Sequence, residues 1–318
     1  MSHVLQLLAC PACRGELSAD WLCLACGARF DAPDGIPNLR LEGSSRTETV
    51  RAFYEAAPFP GYPSRDSLSA FRTRAGRSRF AQLLDRAISA DARLVEVGCG
   101  TGQMSVYLAR ADRVVIGIDV SRSSLLLGAA AAHRFGLSGV YFVETDLHRS
   151  ALKSGAFDVV YSSGVLHHTA NPRAAFAEVA RLARPGGMVI VGVYNTVARL
   201  PVRLRRTVAR LTGFRVVPFD PVLRERGHEL ARREAWLHDQ YQHPEEHSHT
   251  VREIQQWFVE NEVDYLRSYP STVLDDEPDD LFRRAVDDWT IEGWIAQLGW
   301  MWTLGGEGGL FYTIGCRR

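Results

Sequence analysis

Leu94-Val95-Glu96-Val97-Gly98-Cys99-Gly100-Thr101-Gly102, answered further on by Val114-Val115-Ile116-Gly117-Ile118-Asp119, is the stretch that decides the fold. The apolar run over 94–97 reads as a buried strand. The glycines after it make a turn whose missing side chains let backbone approach a ligand closely. Residues 103–110 then read as a helix and 114–118 as a second strand. Asp119 follows that strand, where nucleoside-binding α/β folds place an acid to receive ribose hydroxyls. Together these features predict a site for a nucleoside cofactor. A dinucleotide fingerprint would need its third glycine at Gln103, yet the glycine comes one residue earlier, at Gly102, which disfavours a nicotinamide or flavin.

Working outward, Tyr141-Phe142-Val143-Glu144-Thr145-Asp146-Leu147 reads as a third strand followed by an acid, and 157–163 as a fourth. Gly164-Val165-Leu166-His167-His168-Thr169 comes next. A helix over 173–183, a Pro185-Gly186-Gly187 turn and a fifth strand over 188–193 complete the regular part. Such alternation of strand and helix predicts a doubly wound parallel sheet. Later, 250–261 has helical periodicity, while 263–269 and 310–315 can each be a strand.

The glycine cluster and its ordered companions resemble class I S-adenosylmethionine-dependent methyltransferases, of the type 11/25 kind. The resemblance implies an α/β, Rossmann-like, seven-stranded doubly wound sheet over 91–318, interrupted by insertions at 196–249 and 271–309. It also implies that S-adenosylmethionine is held by Glu96, Gly98, Cys99, Gly100, Gly102, Gln103, Asp119, Val120, Asp146, Leu147 and Ser163. In that family the acid at Glu96 lies near the methionine part of the cofactor, and the acid after the third strand lies beside the adenine.

Four of the six cysteines fall in the first 26 residues, as Cys10-Pro-Ala-Cys13 and Cys23-Leu-Ala-Cys26. Two Cys-x-x-Cys pairs joined by a short connection can converge four thiolates tetrahedrally, which suits a structural zinc ion with no open position for chemistry. Residues 8–39 resemble the zinc-ribbon family that includes the small activator subunit of tRNA methyltransferases. This divides the chain into a ribbon over 1–42, a linker with an aromatic flap over 43–90, and the catalytic domain.

The 37 basic and 37 acidic side chains cancel, so the whole chain lacks the charge footprint of a protein that holds long nucleic acid. No apolar run reaches the roughly 18 residues that cross a bilayer. The first residues lack both a basic leader and a full apolar segment, so a cytoplasmic location is expected.

Methyl transfer from a sulfonium is an in-line displacement, governed largely by alignment of the acceptor. A base helps an oxygen acceptor of high pKa, and His167 or His168, just past the fourth strand, is where one can reach; His167 is slightly favoured, and a packing role is open for each. Neither Asn-Pro-Pro-Tyr nor Asp-Pro-Pro-Tyr follows that strand, which argues against amino-methylation of a nucleic-acid base. The acceptor pocket is left to the insertions and to the segment before the glycine turn. Phe53, Tyr54 and Tyr62 suit a rigid flap, and Tyr194, Asp239, Tyr241 and His243 are further candidate contacts. Residues 199–211 read as a basic amphipathic helix, with Arg199, Arg203, Arg205, Arg206 and Arg210 among leucines and valine. A solvated lid face is the favoured reading; a phosphate grip or peripheral contact with an anionic membrane are the others. The tryptophans of the second insertion suit an apolar pocket, a lid core or a dimer interface alike, and the oligomeric state stays open. The expected substrate is a small apolar or aromatic metabolite methylated on oxygen or nitrogen. The rivals are an RNA methyltransferase using the ribbon and the arginines, and a non-catalytic partner.

Overall fold

The computed structural model describes residues 2–43, 45–56, 58, 60–220, 223–224, 236–237, 240–241, 246–273, 276–285, 291–304 and 308–318. At its centre lie seven strands: β1 (Arg93–Val97), β2 (Val114–Asp119), β3 (Val140–Glu144), β4 (Phe157–Ser163), β5 (Ala183–Tyr194), β6 (Val263–Tyr269) and β7 (Leu310–Arg317). Their order is β3-β2-β1-β4-β5-β7-β6. The first five pair in parallel, as the alternating sequence predicts. β7 enters between β5 and β6 antiparallel to both, so the sheet is mixed at that end. Strand order reverses between β1 and β4, which opens a crevice at their carboxyl ends, the place where such sheets bind ligands.

β1 is buried on both faces because helices cover both. On one side Leu94 and Val115 pack with Phe71, Phe80, Leu84, Val106 and Leu125. These come from α3 (Leu68–Ala75), α4 (Arg79–Ala87), α5 (Gln103–Leu108) and α6 (Arg122–Arg134). On the other, Val95, Val97 and Ile118 pack with side chains of α7 (Pro172–Ala180), α9 (Val251–Glu260) and α10 (Ile291–Thr303). β5 is longer than the sequence pattern implied. It takes in Pro185-Gly186-Gly187 as a bulge, Ala183 facing Phe157 and Met188 already facing Val159.

The segment before β1 is more regular than a linker. α2 (Ser45–Ala56), α3 and α4 occupy most of it. Ser67 and Ser78 cap α3 and α4 by accepting from the backbone N–H of Ala70 and Ala81, and Phe80, Leu83 and Leu84 of α4 form one buried stripe. The cysteine-bearing segment follows a short helix, α1 (Ser2–Leu5), and its Leu8, Leu17, Trp21 and Leu39 belong to the same core as α7. Leu39 N–H donates to the Glu144 carbonyl and Glu144 N–H to that of Pro37, so the exit from this segment runs along the outer edge of β3. At the opposite edge Ala285 N–H donates to Leu266 of β6. α8 (Leu200–Leu211) follows β5 and matches the expected basic helix.

Candidate cofactor and acceptor site

The glycine turn lies at the crevice. Gly98, Gly100 and Gly102 all have positive φ, which other L-residues rarely adopt. Their spaces are used differently. A Cβ on Gly98 would run into Val165, and one on Gly102 into the ring of Phe142. A Cβ on Gly100 would meet nothing within 4 Å. Only Gly100 therefore faces open space, while its neighbours make room for protein. Phe142 is wedged further: it would also meet a Cβ on Gly117 or Gly128, at 2.9 and 2.8 Å. The turn thus rests on an aromatic ring framed by three glycines.

Asp119 accepts from Gly100 N–H and Ser121 N–H, each at 2.8 Å, which ties the end of β2 to the turn. Burial pushes its carboxyl above the ordinary aspartate range. Glu96 is buried too, and its carboxylate accepts from the Ser105 backbone N–H at 2.7 Å and hydroxyl at 2.5 Å. Burial outweighs these two bonds and pushes its carboxyl up to about 7. Cys99 is buried, and burial holds its thiol protonated. Gln103 reaches away to the Gly61 carbonyl.

A cavity of about 620 Å³ opens above the turn. Its floor is Gly98, Gly100, Asp119, Val120, Asp146, Leu147 and Ser163. Its far wall is Val165, His168 and Asn171, and its roof is Leu41, Thr47, Val50 and Tyr54. Tyr54, one of the expected flap residues, is part of this roof, while Leu41, Thr47 and Val50 are what the sequence reading missed. Thr47, Val50 and Tyr54 lie three and four residues apart on one face of α2, a signal hidden by the helix's low overall hydrophobicity. Glu55 fastens α2 down, accepting from the N–H groups of Arg122 and Ser123 at the start of α6.

Of the two histidines, His168 lines the cavity and His167 does not. His167 is fully buried, its ring 4.3 Å from that of His168 and 3.9 Å from that of Tyr194. Of the two candidates, His168 is therefore the one that the geometry puts beside the cavity. Tyr194 sits behind this pair, its hydroxyl accepting from Gln240 and its ring under the Arg199 guanidinium. Arg199 and Arg206 both turn inward to Glu246, at 2.8 and 3.0 Å. Burial alone would raise the Glu246 carboxyl, but the two guanidinium groups outweigh it and hold it below the ordinary range.

Other expected contacts stand apart from the cavity. Tyr62 donates to the Thr101 carbonyl at 2.9 Å and packs on Phe71 and Phe135, so it braces the glycine turn from outside. Phe53 meets Tyr54 edge-on at 5.2 Å, away from the cavity lining. Tyr241 is buried beside Val202 and Ala209, donating to Asp220. Asp239 and His243 lie outside the described residues.

The four N-terminal cysteines converge, their sulfurs all within 4.8 Å of one another. A tetrahedral zinc ion, about 2.3 Å from each sulfur, holds its ligands about 3.8 Å apart. Cys10 and Cys26 stand at 3.8 Å and Cys13 and Cys23 at 3.4 Å, so the donor set fits. Backbone N–H groups of Cys26 and Ala25 help lower the Cys23 thiol to about 6. Gly15 leaves the cluster its space: a Cβ there would lie 3.2 Å from two of the sulfurs.

Comparison with known proteins agrees with this geometry. The methyltransferase domain family matches residues 95–191. An uncharacterized protein of Synechococcus is 28% identical over 257 residues, covering 70% of this chain and 60% of its own length. A ubiquinone biosynthesis O-methyltransferase of Caulobacter is 35% identical over 103 residues, 32% of this chain and 41% of that enzyme. The chain thus aligns with less than two thirds of either relative. Among solved structures, magnesium protoporphyrin IX methyltransferase of Synechocystis, with bound SAH, superposes with a TM-score of 0.50 at 15% identity, covering 86% of this chain and all of that one. Geranyl diphosphate C-methyltransferase of Streptomyces coelicolor gives 0.50 at 16%, covering 87% and 100%. The sheet order, the glycine turn at its switch point and the family match over residues 95–191 agree on one fold: an α/β, Rossmann-like methyltransferase fold.

Proposed function

We propose that the chain transfers the methyl group of S-adenosylmethionine to an oxygen or nitrogen atom of a small apolar or aromatic metabolite, and that its four N-terminal cysteines hold a structural zinc ion. The observation that carries the first part is the cavity floored by Gly100 and Asp119, with the rest of its volume extending to His168 and Asn171. Asp119 would take the ribose hydroxyls and Asp146 the adenine edge. When bound, the cofactor supplies an electrophilic methyl on a sulfonium. An acceptor aligned with that methyl would take it in exchange for the sulfur, and His168 would receive the acceptor's proton. Tyr194 and His167, packed behind, fix the His168 ring. The relatives named as ubiquinone biosynthesis O-methyltransferases support a small organic acceptor. Against an RNA acceptor stands the engagement of Arg199 and Arg206 with Glu246, which withdraws both from phosphates.

Calorimetry and methyl-label incorporation test this reading. S-adenosylmethionine should bind, with Asp119→Ala weakening it roughly tenfold to a hundredfold. Label should enter the organic extract of a metabolite mixture. Incorporation confined to RNA would overturn the acceptor, and the absence of any binding heat would overturn the donor.

A further inference from the structure

Residues 196–219 contain six arginines and no acidic residue. Arg199 and Arg206 are consumed internally by Glu246, but Arg203, Arg210 and Arg215 are exposed. The apolar side chains among them are exposed as well: Leu204 is 70%, Leu211 83% and Phe219 89% accessible. On α8, Leu200, Leu204 and Leu211 stand at i, i+4 and i+11, one face, and Arg203 and Arg210 flank that face seven residues apart. A helix usually turns its leucines to the core; α8 buries only Val202 and Ala209 and leaves its leucines outside beside Arg203 and Arg210.

A second helix also leaves apolar side chains exposed. α10 turns Gln297 and Trp300 inward and leaves Ile291, Ile295, Leu298 and Trp302 outside, at i, i+4, i+7 and i+11. Both helices are moored at one corner of the sheet, past the end of β5. Asn195 there donates to Gln297 of α10 at 3.0 Å, and Arg199 donates to the Gly308 carbonyl at 2.7 Å.

We infer that the outer faces of α8 and α10 form a docking surface for a membrane bearing anionic headgroups. Leucine, isoleucine and tryptophan side chains would enter the boundary between headgroups and acyl chains, while Arg203, Arg210 and Arg215 meet lipid phosphates. Charge complementarity selects this occupant. A second copy of the chain would bring like-charged arginines together, and a nucleic acid would find leucines where it needs polar or stacking groups. No helix of the described residues is long and apolar enough to cross a membrane, so contact is confined to the surface. The surface is independent of methyl transfer.

The full chain, sedimented with vesicles, tests the proposal. It should bind vesicles containing about 30% phosphatidylglycerol and not phosphatidylcholine alone, and release as salt rises. Arg203→Gln with Arg210→Gln should lower partitioning roughly thirtyfold. Leu204→Ser with Leu211→Ser should lower it roughly tenfold or more, with an unchanged melting curve because both positions are exposed. Equal binding to neutral and anionic vesicles would overturn the inference, as would variants that bind like the parent. So would failure to bind lipid together with a dimer, or an RNA complex, that the same substitutions abolish.

Discussion

Glu96 is the residue whose ionisation bears most directly on stability. Its carboxyl, buried and pushed up to about 7, favours the protonated form in the folded chain. Its stabilising contribution is therefore complete below the ordinary glutamate range and is lost as pH rises through about 7. Asp119, raised in the same direction, contributes a similar trend, so the informative measurement is a difference. Urea unfolding of the parent and of Glu96→Gln, which keeps an acceptor for Ser105, should show the parent losing roughly 3 kcal/mol relative to the variant between pH 4.5 and pH 8. A parallel pair of profiles would contradict this. The same residue shows a limit of sequence reading: an acid two before the first glycine was legible as part of the motif, but its engagement with Ser105 depends on how α5 returns over β1. His167 and His168 are a second instance. Adjacent in sequence, both lie in the 3-10 turn Leu166–His168 and both are buried, yet of the two it is His168 that lines the cavity.

Between elements, the contact that matters most is α6 against the glycine turn. Gly128 lies where α6 passes the Thr101 carbonyl, and a Cβ there would stand 2.7 Å from that oxygen and 2.8 Å from Phe142. Gly128→Ala should destabilise the chain by roughly 1–2 kcal/mol despite alanine's better helix propensity, and should weaken cofactor binding because the turn must shift. Unchanged denaturant and binding midpoints would refute the packing argument. The strands around this contact were legible because fully buried parallel strands read as unbroken apolar runs. The helices over 43–90 were not. α2 carries Arg51, Glu48 and Glu55 among its few apolar residues, and its role as a roof arises from Glu55 reaching α6 across the fold. Antiparallel entry of β7 was equally hidden, since a strand's direction is set by the route of the preceding insertion.

For the whole molecule, the N-terminal segment and the sheet share one core, Leu8 and Leu39 packing with the same cluster as Val143 and Phe176. A metal held by Cys10, Cys13, Cys23 and Cys26 would thus stabilise more than its own loop. Metal analysis should find one zinc per chain. Chelation, or Cys10→Ser, should lower the melting midpoint by roughly 5–10 °C, as expected if a few kcal/mol are lost from a chain of this size. A midpoint insensitive to chelator, with no zinc recovered, would refute the assignment.

That same segment also lies on β3, the outermost strand, through the paired backbone bonds of Glu144 with Pro37 and Leu39, and Ala285 lies on β6 at the other end. An open sheet offers two rims of unspent donors and acceptors on which a foreign strand can seed fibrous growth. Here the chain's own backbone occupies part of each rim, at Glu144 and at Leu266. Trimming the first forty residues would thus bare the β3 rim, and the shortened protein would be prone to self-association through main-chain pairing.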